Sequence, residues 1–218
     1  MANIALMTTC KQRLENYNNE VMEAIESIAS QVDKVYLVLS REEFNDKIPK
    51  LNLPMNVIVQ ICVKNIYSFK KFMPLLTRRS DFNDNDNIFL VDDDWRYHPD
   101  YVKYMLDFMG NAEVASLGCG GCIGAFTVFK AKCIDDEFFK YWTHELIDTR
   151  IDDIYMTNYF KFKNRKAHYY DKCVDELVRT VSDPLIPISA NNPNNEVYPK
   201  TFRFASQYRP WQTTTNSK

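Results

Sequence analysis

The sequence predicts an α/β fold, a mixed and mostly parallel central sheet flanked by helices, and three observations carry that expectation. Short apolar runs alternate with helical periodicity in the order strand, helix, strand, strand, helix, strand. The run before the aspartates, "IFLV", is apolar throughout, as buried strands are. Polar residues then collect at the C-terminal ends of the runs (Thr8 and Thr9, Ser40, and Asp92, Asp93 and Asp94), where open α/β sheets bind ligands at a switch in strand order.

Taken in order, "NIALM" is a strand over 3–7 that feeds a polar loop, "TTCKQR". In "ENYNNEVMEAIESIASQ", Val21, Ile25 and Ile28 recur at helical spacing, which predicts an amphipathic helix of about four turns. "DKVYLVLS" gives a second strand, 34–39, ending at Ser40, and "MNVIVQICV" a third. "SFKKFMPLLTRR" reads as helical with Pro74 in its early part, "DFNDNDN" as a turn-rich loop, and "IFLV" as the fourth strand. Beyond it, "HPDYVKYMLDFMGN" predicts a helix opened by Pro99 and Asp100 and closed by Gly110. "ASLGCGGCIGAFTVFK" packs Gly118, Gly120, Gly121 and Gly124 in front of a strand over 125–129. "DDEFFKYWTHELI" and "DDIYMTNYFKFKN" read as two further helices and "KAHYY" as a short strand. From Ser182 the chain turns Pro- and Asn-rich and reads as surface loop. With no repeat and no boundary, one domain spans 1–218, and its polar C-terminus suggests a module of a longer polypeptide.

The 218 residues, 45% hydrophobic, suffice for a real core. A formal charge of −2 and a pI near 6.0 supply no field that favours nucleic acid or an acidic membrane. The apolar start is too short for a signal peptide, and no run approaches a membrane span. Six scattered cysteines then read as reduced thiols of a cytoplasmic protein.

The chemistry centres on "IFLVDDDWRYHPDYV". Three adjacent carboxylates each raise the cost of ionising the others, so they call for a cation, a hydrogen-bonding ligand or open water. A random acidic triplet is most often a solvated turn; here it ends a buried strand. In an extended chain Asp92 and Asp94 share a face and Asp93 points away. Two hard oxygen donors of that kind suit Mn²⁺ or Mg²⁺.

That segment resembles the Asp-x-Asp segment of GT-A-fold glycosyltransferases, which have a Rossmann-like nucleotide-binding fold and use nucleotide-sugar donors. Further segments are similar in the family's order: "ALMTTCKQRLENYNNEVMEAIESIASQVDKVYLVLS" to its opening strand, helix and strand, "YSFKKFMPLL" to a Lys-Lys-Leu-type stretch, "CGGCIGAFTVFK" to its glycine segment, and "IDDIYMTNYFKFKN" to its Glu/Asp-Asp helix start. Together they cover about 4–170. Within the family the likeness runs to N-terminal domains of multidomain enzymes encoded by chlorella viruses, which places the chain in host cytoplasm if it is viral. The resemblance implies a nucleotide-sugar half over about 1–100 and an acceptor half over about 101–218.

It also implies roles. Asp94 binds Mn²⁺ or Mg²⁺ directly, Asp92 touches metal or ribose, and Asp93 supports the nucleotide. Thr8, Thr9 and Arg13 lie against nucleoside and diphosphate, Ser40 lies near the base, and Lys70 or Lys71, with Lys71 preferred, meets diphosphate or nucleoside oxygens. Asp153 is the base that deprotonates an acceptor hydroxyl, with Asp152 beside it contacting acceptor or helix. Either aspartate also serves as a helix-start residue that complements the dipole. Trp95, Tyr97 and Trp142 are candidates for stacking on sugars, with core packing the commoner fate for Trp142. The implied donor is a UDP-sugar, of glucose or L-rhamnose, and the acceptor a glycan. Three other readings compete. "CGGC" is a Cys-x-x-C pair, here read as a glycine loop. Asp-x-Asp also marks phosphoryl-transfer enzymes, though with a nucleophilic Asp near the first strand. A non-catalytic sugar-binding domain is the third.

Overall fold

The structure is a computed structural model and describes residues 1–117, 124, 126–148, 150–170, 182–184 and 207–208. In chain order the strands are β1 (Asn3–Thr8), β2 (Lys34–Ser40), β3 (Val57–Cys62), β4 (Asn87–Leu90), β5 (Trp95–Tyr97), β6 (Val114–Ser116), β7 (Thr127–Lys130), β8 (Ala167–Tyr169) and β9 (Ser182–Pro184). The helices are α1 (Lys11–Asn16), α2 (Asn18–Ala29), α3 (Arg41–Phe44), α4 (Met73–Thr77), α5 (Tyr101–Met109), α6 (Asp136–Lys140), α7 (His144–Asp148) and α8 (Asp152–Phe162). Seven strands form one sheet in the order β3-β2-β1-β4-β7-β6-β8. β3, β2, β1 and β4 are mutually parallel, β7 is antiparallel to both of its neighbours, and β6 and β8 are parallel.

β1, β2 and β4 are buried on both faces because each face has its own core, while the edge strand β3 leaves Val59 and Ile61 exposed. Along β1, Ala5 and Met7 enter one cluster while Ile4 and Leu6 enter the other; along β4, Phe89 and Ile88 divide the same way. On the first face α2 packs Val21, Ala24, Ile25 and Ile28, and α5 packs Tyr101, Val102, Met105 and Met109. The second face is aromatic: Phe69, Phe72, Phe138, Tyr155, Tyr159 and Phe160 are all within 1% of full burial. Each such ring contributes roughly 1.5–3 kcal/mol by burial.

The strand order reverses direction at β1. The chain moves outward through β2 and β3, then crosses back to lay β4 on the other side of β1. Thr8 and the aspartates therefore leave the sheet side by side.

Several elements differ from the sequence reading. The "CKQR" loop contains a short helix, α1. "SFKKFMPLLTRR" is a 3₁₀ turn, Tyr67–Phe72, joined to α4. Its threefold period places Phe69 and Phe72 together in the core. "DDEFFKYWTHELI" is two helices, because a second cap intervenes: Asp135 accepts from the Glu137 amide at 3.0 Å and Thr143 Oγ1 from the Leu146 amide at 3.2 Å. Between them Trp142 turns into a cluster with Phe69, Phe72, Phe138 and Phe139. β5 and β6 escaped the sequence reading, as did β9, which pairs antiparallel with β5 where loop was expected. The 125–129 strand is displaced to Thr127–Lys130. "CGGC", with Gly118, Gly120 and Gly121, lies outside the described residues, as does most of the C-terminal loop.

Candidate active site

The ends of β1 and β4, the start of α1, the 3₁₀ turn and the start of α8 enclose a cavity of about 380 Å³, in the range of small-ligand sites. Thr8, Thr9, Arg13, Lys71, Asp92, Asp93, Asp94 and Asp152 all line it, as does Lys70, the second lysine candidate; so do Glu43, Tyr67 and Arg150, which the sequence reading does not place in a site. Lys70 and Lys71 would ordinarily be solvated on a helix, yet both are buried and paired.

The aspartates diverge. Asp92 leaves β4 towards Lys71, whose Nζ donates to Asp92 Oδ1 at 3.0 Å and lies 3.4 Å from Asp152 Oδ2. One ammonium thus joins the end of β4 to the start of α8. Burial works against its charge, but Asp152 and Asp92 outweigh that and hold its pKa above the ordinary lysine value. Asp93 turns to Arg13, whose Nε is 3.0 Å from Asp93 Oδ2 and whose Nη2 donates to the Asp93 carbonyl at 2.9 Å. Asp93 and Asp94 form a turn into β5, so the alternation of an extended strand does not govern them. The turn is clamped from beneath by Tyr97, whose hydroxyl accepts from the Asp92 amide at 2.7 Å and donates to the Asp92 carbonyl at 3.2 Å.

Asp94 is the residue left over. Its Oδ1 is buried and has no hydrogen-bond partner among the described residues. Burial first, then the charges of Asp92 and Asp93, push its pKa up to about 7. A buried carboxylate oxygen with no donor among the described residues, beside a second carboxylate, fits a divalent cation, with Asp94 and Asp92 as hard oxygen ligands. No group of three or more His, Cys, Asp and Glu side chains converges for a metal among the described residues. The remaining coordination would fall to phosphate oxygens and water, as is usual for Mg²⁺.

Two sequence candidates sit beside the cavity instead of on its wall. Ser40 is fully buried and caps α3, accepting from the Glu43 amide at 3.3 Å. Asp153 follows Asp152 into α8, its Oδ1 accepting from the Ile154 amide at 2.7 Å. Burial and then the Asp152 charge push Asp153 up to about 7. Tyr97 is buried under the aspartates and Trp142 is packed among core rings, so neither presents a face to a sugar. Trp95 meets Phe126 edge-on. His168 lies on β8, with Nδ1 3.2 Å from the Phe108 carbonyl oxygen, away from the cavity.

A mixed, mostly parallel sheet with an acidic, cation-laced cavity at its switch point defines a nucleotide-binding α/β architecture of the nucleotidyltransferase and GT-A-like kind. No protein-family model and no curated protein matches the sequence. Solved structures do resemble it. A 4-diphosphocytidyl-2C-methyl-D-erythritol synthase is 15% identical, with a TM-score of 0.53 over 92% of this chain and 97% of that one. The Francisella tularensis 2-C-methyl-D-erythritol 4-phosphate cytidylyltransferase is 9% identical, with a TM-score of 0.51 over 92% and 99%. The glycosyltransferase GlyE of Streptococcus pneumoniae is 15% identical at a TM-score of 0.46, over 98% of this chain and 62% of that one. Identities this low establish the fold and not the reaction.

Proposed function

We propose that the protein is a metal-dependent glycosyltransferase of the hexosyltransferase type. It moves a sugar from a UDP-sugar, with glucose or L-rhamnose as the moiety, to a glycan hydroxyl. The observation that carries the reading is the buried Asp94 oxygen beside Asp92, without a hydrogen-bond partner among the described residues and one lysine away from the Asp152 and Asp153 pair. Bound Mn²⁺ or Mg²⁺ supplies Lewis-acid neutralisation of the departing diphosphate.

The chain's own residues do the rest. Thr8, Thr9 and Arg13 flank the nucleotide, Arg13 chiefly by fixing Asp93, and Ser40 supports the wall through its cap on α3. Lys71 holds Asp152 in place and presents positive charge to the diphosphate. Asp153, with a pKa near 7, accepts the acceptor's hydroxyl proton as the new C–O bond forms at the anomeric carbon. The bond to the diphosphate oxygen breaks and UDP leaves, with inversion. Asp153 lies beside the cavity wall, so the acceptor approaches from the 101–218 half. The single domain, the cytoplasmic setting and the likeness to a chlorella-virus module belong to the same proposal and rest on the ordered sequence motifs.

The likeness to two cytidylyltransferases at TM-scores above 0.5 favours a second reading, nucleotidyl transfer. Calorimetric titration of UDP-, GDP- and CDP-sugars with and without Mn²⁺, followed by product analysis, separates the two. Release of UDP from a UDP-sugar is expected. Release of inorganic pyrophosphate from CTP and a sugar phosphate would replace the first reading with the second, and no nucleotide binding under either condition would remove both.

A further inference from the structure

Four cations line the cavity, and three are already committed: Arg13 to Asp93, Lys70 to Glu43, and Lys71 to Asp92 and Asp152. The fourth, Arg150, is exposed and pairs with no carboxylate among the described residues. Its guanidinium carbon instead rests 4.1 Å from the centre of the Tyr67 ring. From these facts we infer that Arg150 is a diphosphate-binding residue that exchanges its contact with the Tyr67 ring for the diphosphate. The inference rests on the nucleotide-sugar reading of the same cavity.

Backbone geometry supports it independently. Five non-glycine residues among those described have positive φ, and three of them are Asn or Asp, which tolerate that region. The other two are Tyr67 (φ 51) and Arg150 (φ 59), and they touch. Such unfavourable conformations persist where surrounding structure enforces them, and they cluster at ligand-binding and switch regions. Here the enforcement is visible. The Tyr67 amide donates to Asn65 Oδ1 at 3.1 Å, and Ser68 Oγ donates to the Arg150 carbonyl at 3.0 Å. The Arg150 backbone is thereby pinned at the cavity mouth, two residues before Asp152, while its side chain is held by one ring contact.

Charge supplies the direction of movement. The four cations face five carboxylates, Glu43, Asp92, Asp93, Asp94 and Asp152, so the lining does not favour an anion unaided. A cation–π contact at an exposed site is weak, whereas a guanidinium matches two phosphate oxygens at once. A diphosphate, brought in with the divalent cation, is the better partner and takes Arg150 from the ring.

The test titrates the full chain, in Mn²⁺, with inorganic pyrophosphate, in wild type and in Arg150→Gln, Arg150→Lys and Tyr67→Leu. Arg150→Gln is expected to weaken pyrophosphate binding about ten- to hundredfold, as loss of hydrogen bonds to a charged group does. Arg150→Lys recovers part of it. Mn²⁺ affinity, titrated alone, stays unchanged in both. Tyr67→Leu does not weaken pyrophosphate binding and tightens it by up to about fivefold, since the resting contact is gone. The inference falls if wild type fails to bind pyrophosphate, if Arg150→Gln binds it as wild type does, if Mn²⁺ affinity falls in parallel, or if Tyr67→Leu weakens binding as Arg150→Gln does. UDP-sugar turnover with Arg150-independent pyrophosphate binding would sink this inference and leave the transferase standing. Arg150-dependent binding without turnover of any nucleotide sugar would do the reverse.

Discussion

Asp94 has Asp92 and Asp93 as neighbours, and its buried Oδ1 receives no donor among the described residues. Ionising it inside the fold is costly, and a bound cation removes the cost. Asp94→Asn should therefore act in two opposite directions. Mn²⁺-dependent nucleotide binding should weaken at least about tenfold, because a hard anionic ligand is lost. The metal-free protein should become more stable, and by on the order of 2 kcal/mol more at pH 8 than at pH 5, where Asp94 is already protonated. Calorimetry and thermal melts at the two pH values check both signs; equal effects at both pH values would refute the assignment. Tyr97 works from below the same turn. Tyr97→Phe deletes both of its bonds to the Asp92 backbone and leaves that amide and carbonyl to find other partners. The expected loss is about 1–2 kcal/mol of stability with weaker Mn²⁺ binding, read by denaturant melts and metal titration. The sequence could not show this role. A tyrosine five residues after an aspartate has no periodicity that marks a bond from its hydroxyl to that residue's main chain, so its ring was read as a sugar platform.

Among the elements, the 3₁₀ turn Tyr67–Phe72 has the largest effect on the site. At three residues per turn, Phe69 and Phe72 fall on one face of it. The tighter turn sinks Phe69 and Phe72 into the core and delivers both lysines, buried, to the strand ends. Lys71→Met should cost about 3 kcal/mol, the usual consequence of breaking a buried pair, since Asp152 keeps its burial and loses its cation. Asp153 also loses a favourable charge, because Lys71 lowers its pKa. The rising limb of the pH–rate profile should then move to higher pH, and a profile unmoved in Lys71→Met would separate Lys71 from the base. β1, β2, α2 and β4 were legible in the sequence because burial on both faces, or on one helical stripe, writes itself as apolar spacing. The strand-end residues of the site were legible for the same reason. β5, β6 and β9 were not. Each has three residues, and short ladders are held by main-chain bonds that leave no side-chain pattern. The break between α6 and α7 turned on which of several capping residues was used, and Glu43, Tyr67 and Arg150 entered the cavity only through the tertiary packing of separate elements.

For the molecule as a whole, the carboxylates divide into two groups with opposite pH signatures. Asp94 and Asp153 titrate near 7 in the fold against about 3.8 for a free aspartate. A raised carboxylate pKa means the fold prefers the protonated form, so their contribution is fully favourable below about pH 4 and is lost as pH climbs through 7. Asp86, Glu113 and Asp135 are lowered: burial opposes ionisation at Asp86 and Asp135, but hydrogen bonds from Ala2 and Asn83, and from Tyr159 and Lys163, outweigh it, while Lys132 does most for Glu113. Their stabilisation is present above about pH 4 and is lost in more acid solution. The two trends cross, so the metal-free protein should be most stable on the acid side of neutrality and should weaken between about pH 5 and pH 8. On the proposed reading Mn²⁺ would bind the ionised form of Asp94 and compete with its proton. Its stabilising effect should therefore grow with pH, with affinity rising up to about tenfold per unit below 7 and levelling above it. Thermal melts from pH 5 to 8.5, with and without saturating Mn²⁺, test this directly. A melting temperature for the metal-free protein that rises steadily towards pH 8, or an Mn²⁺ increment that shrinks as pH increases, would place the compensating cation somewhere other than Asp94.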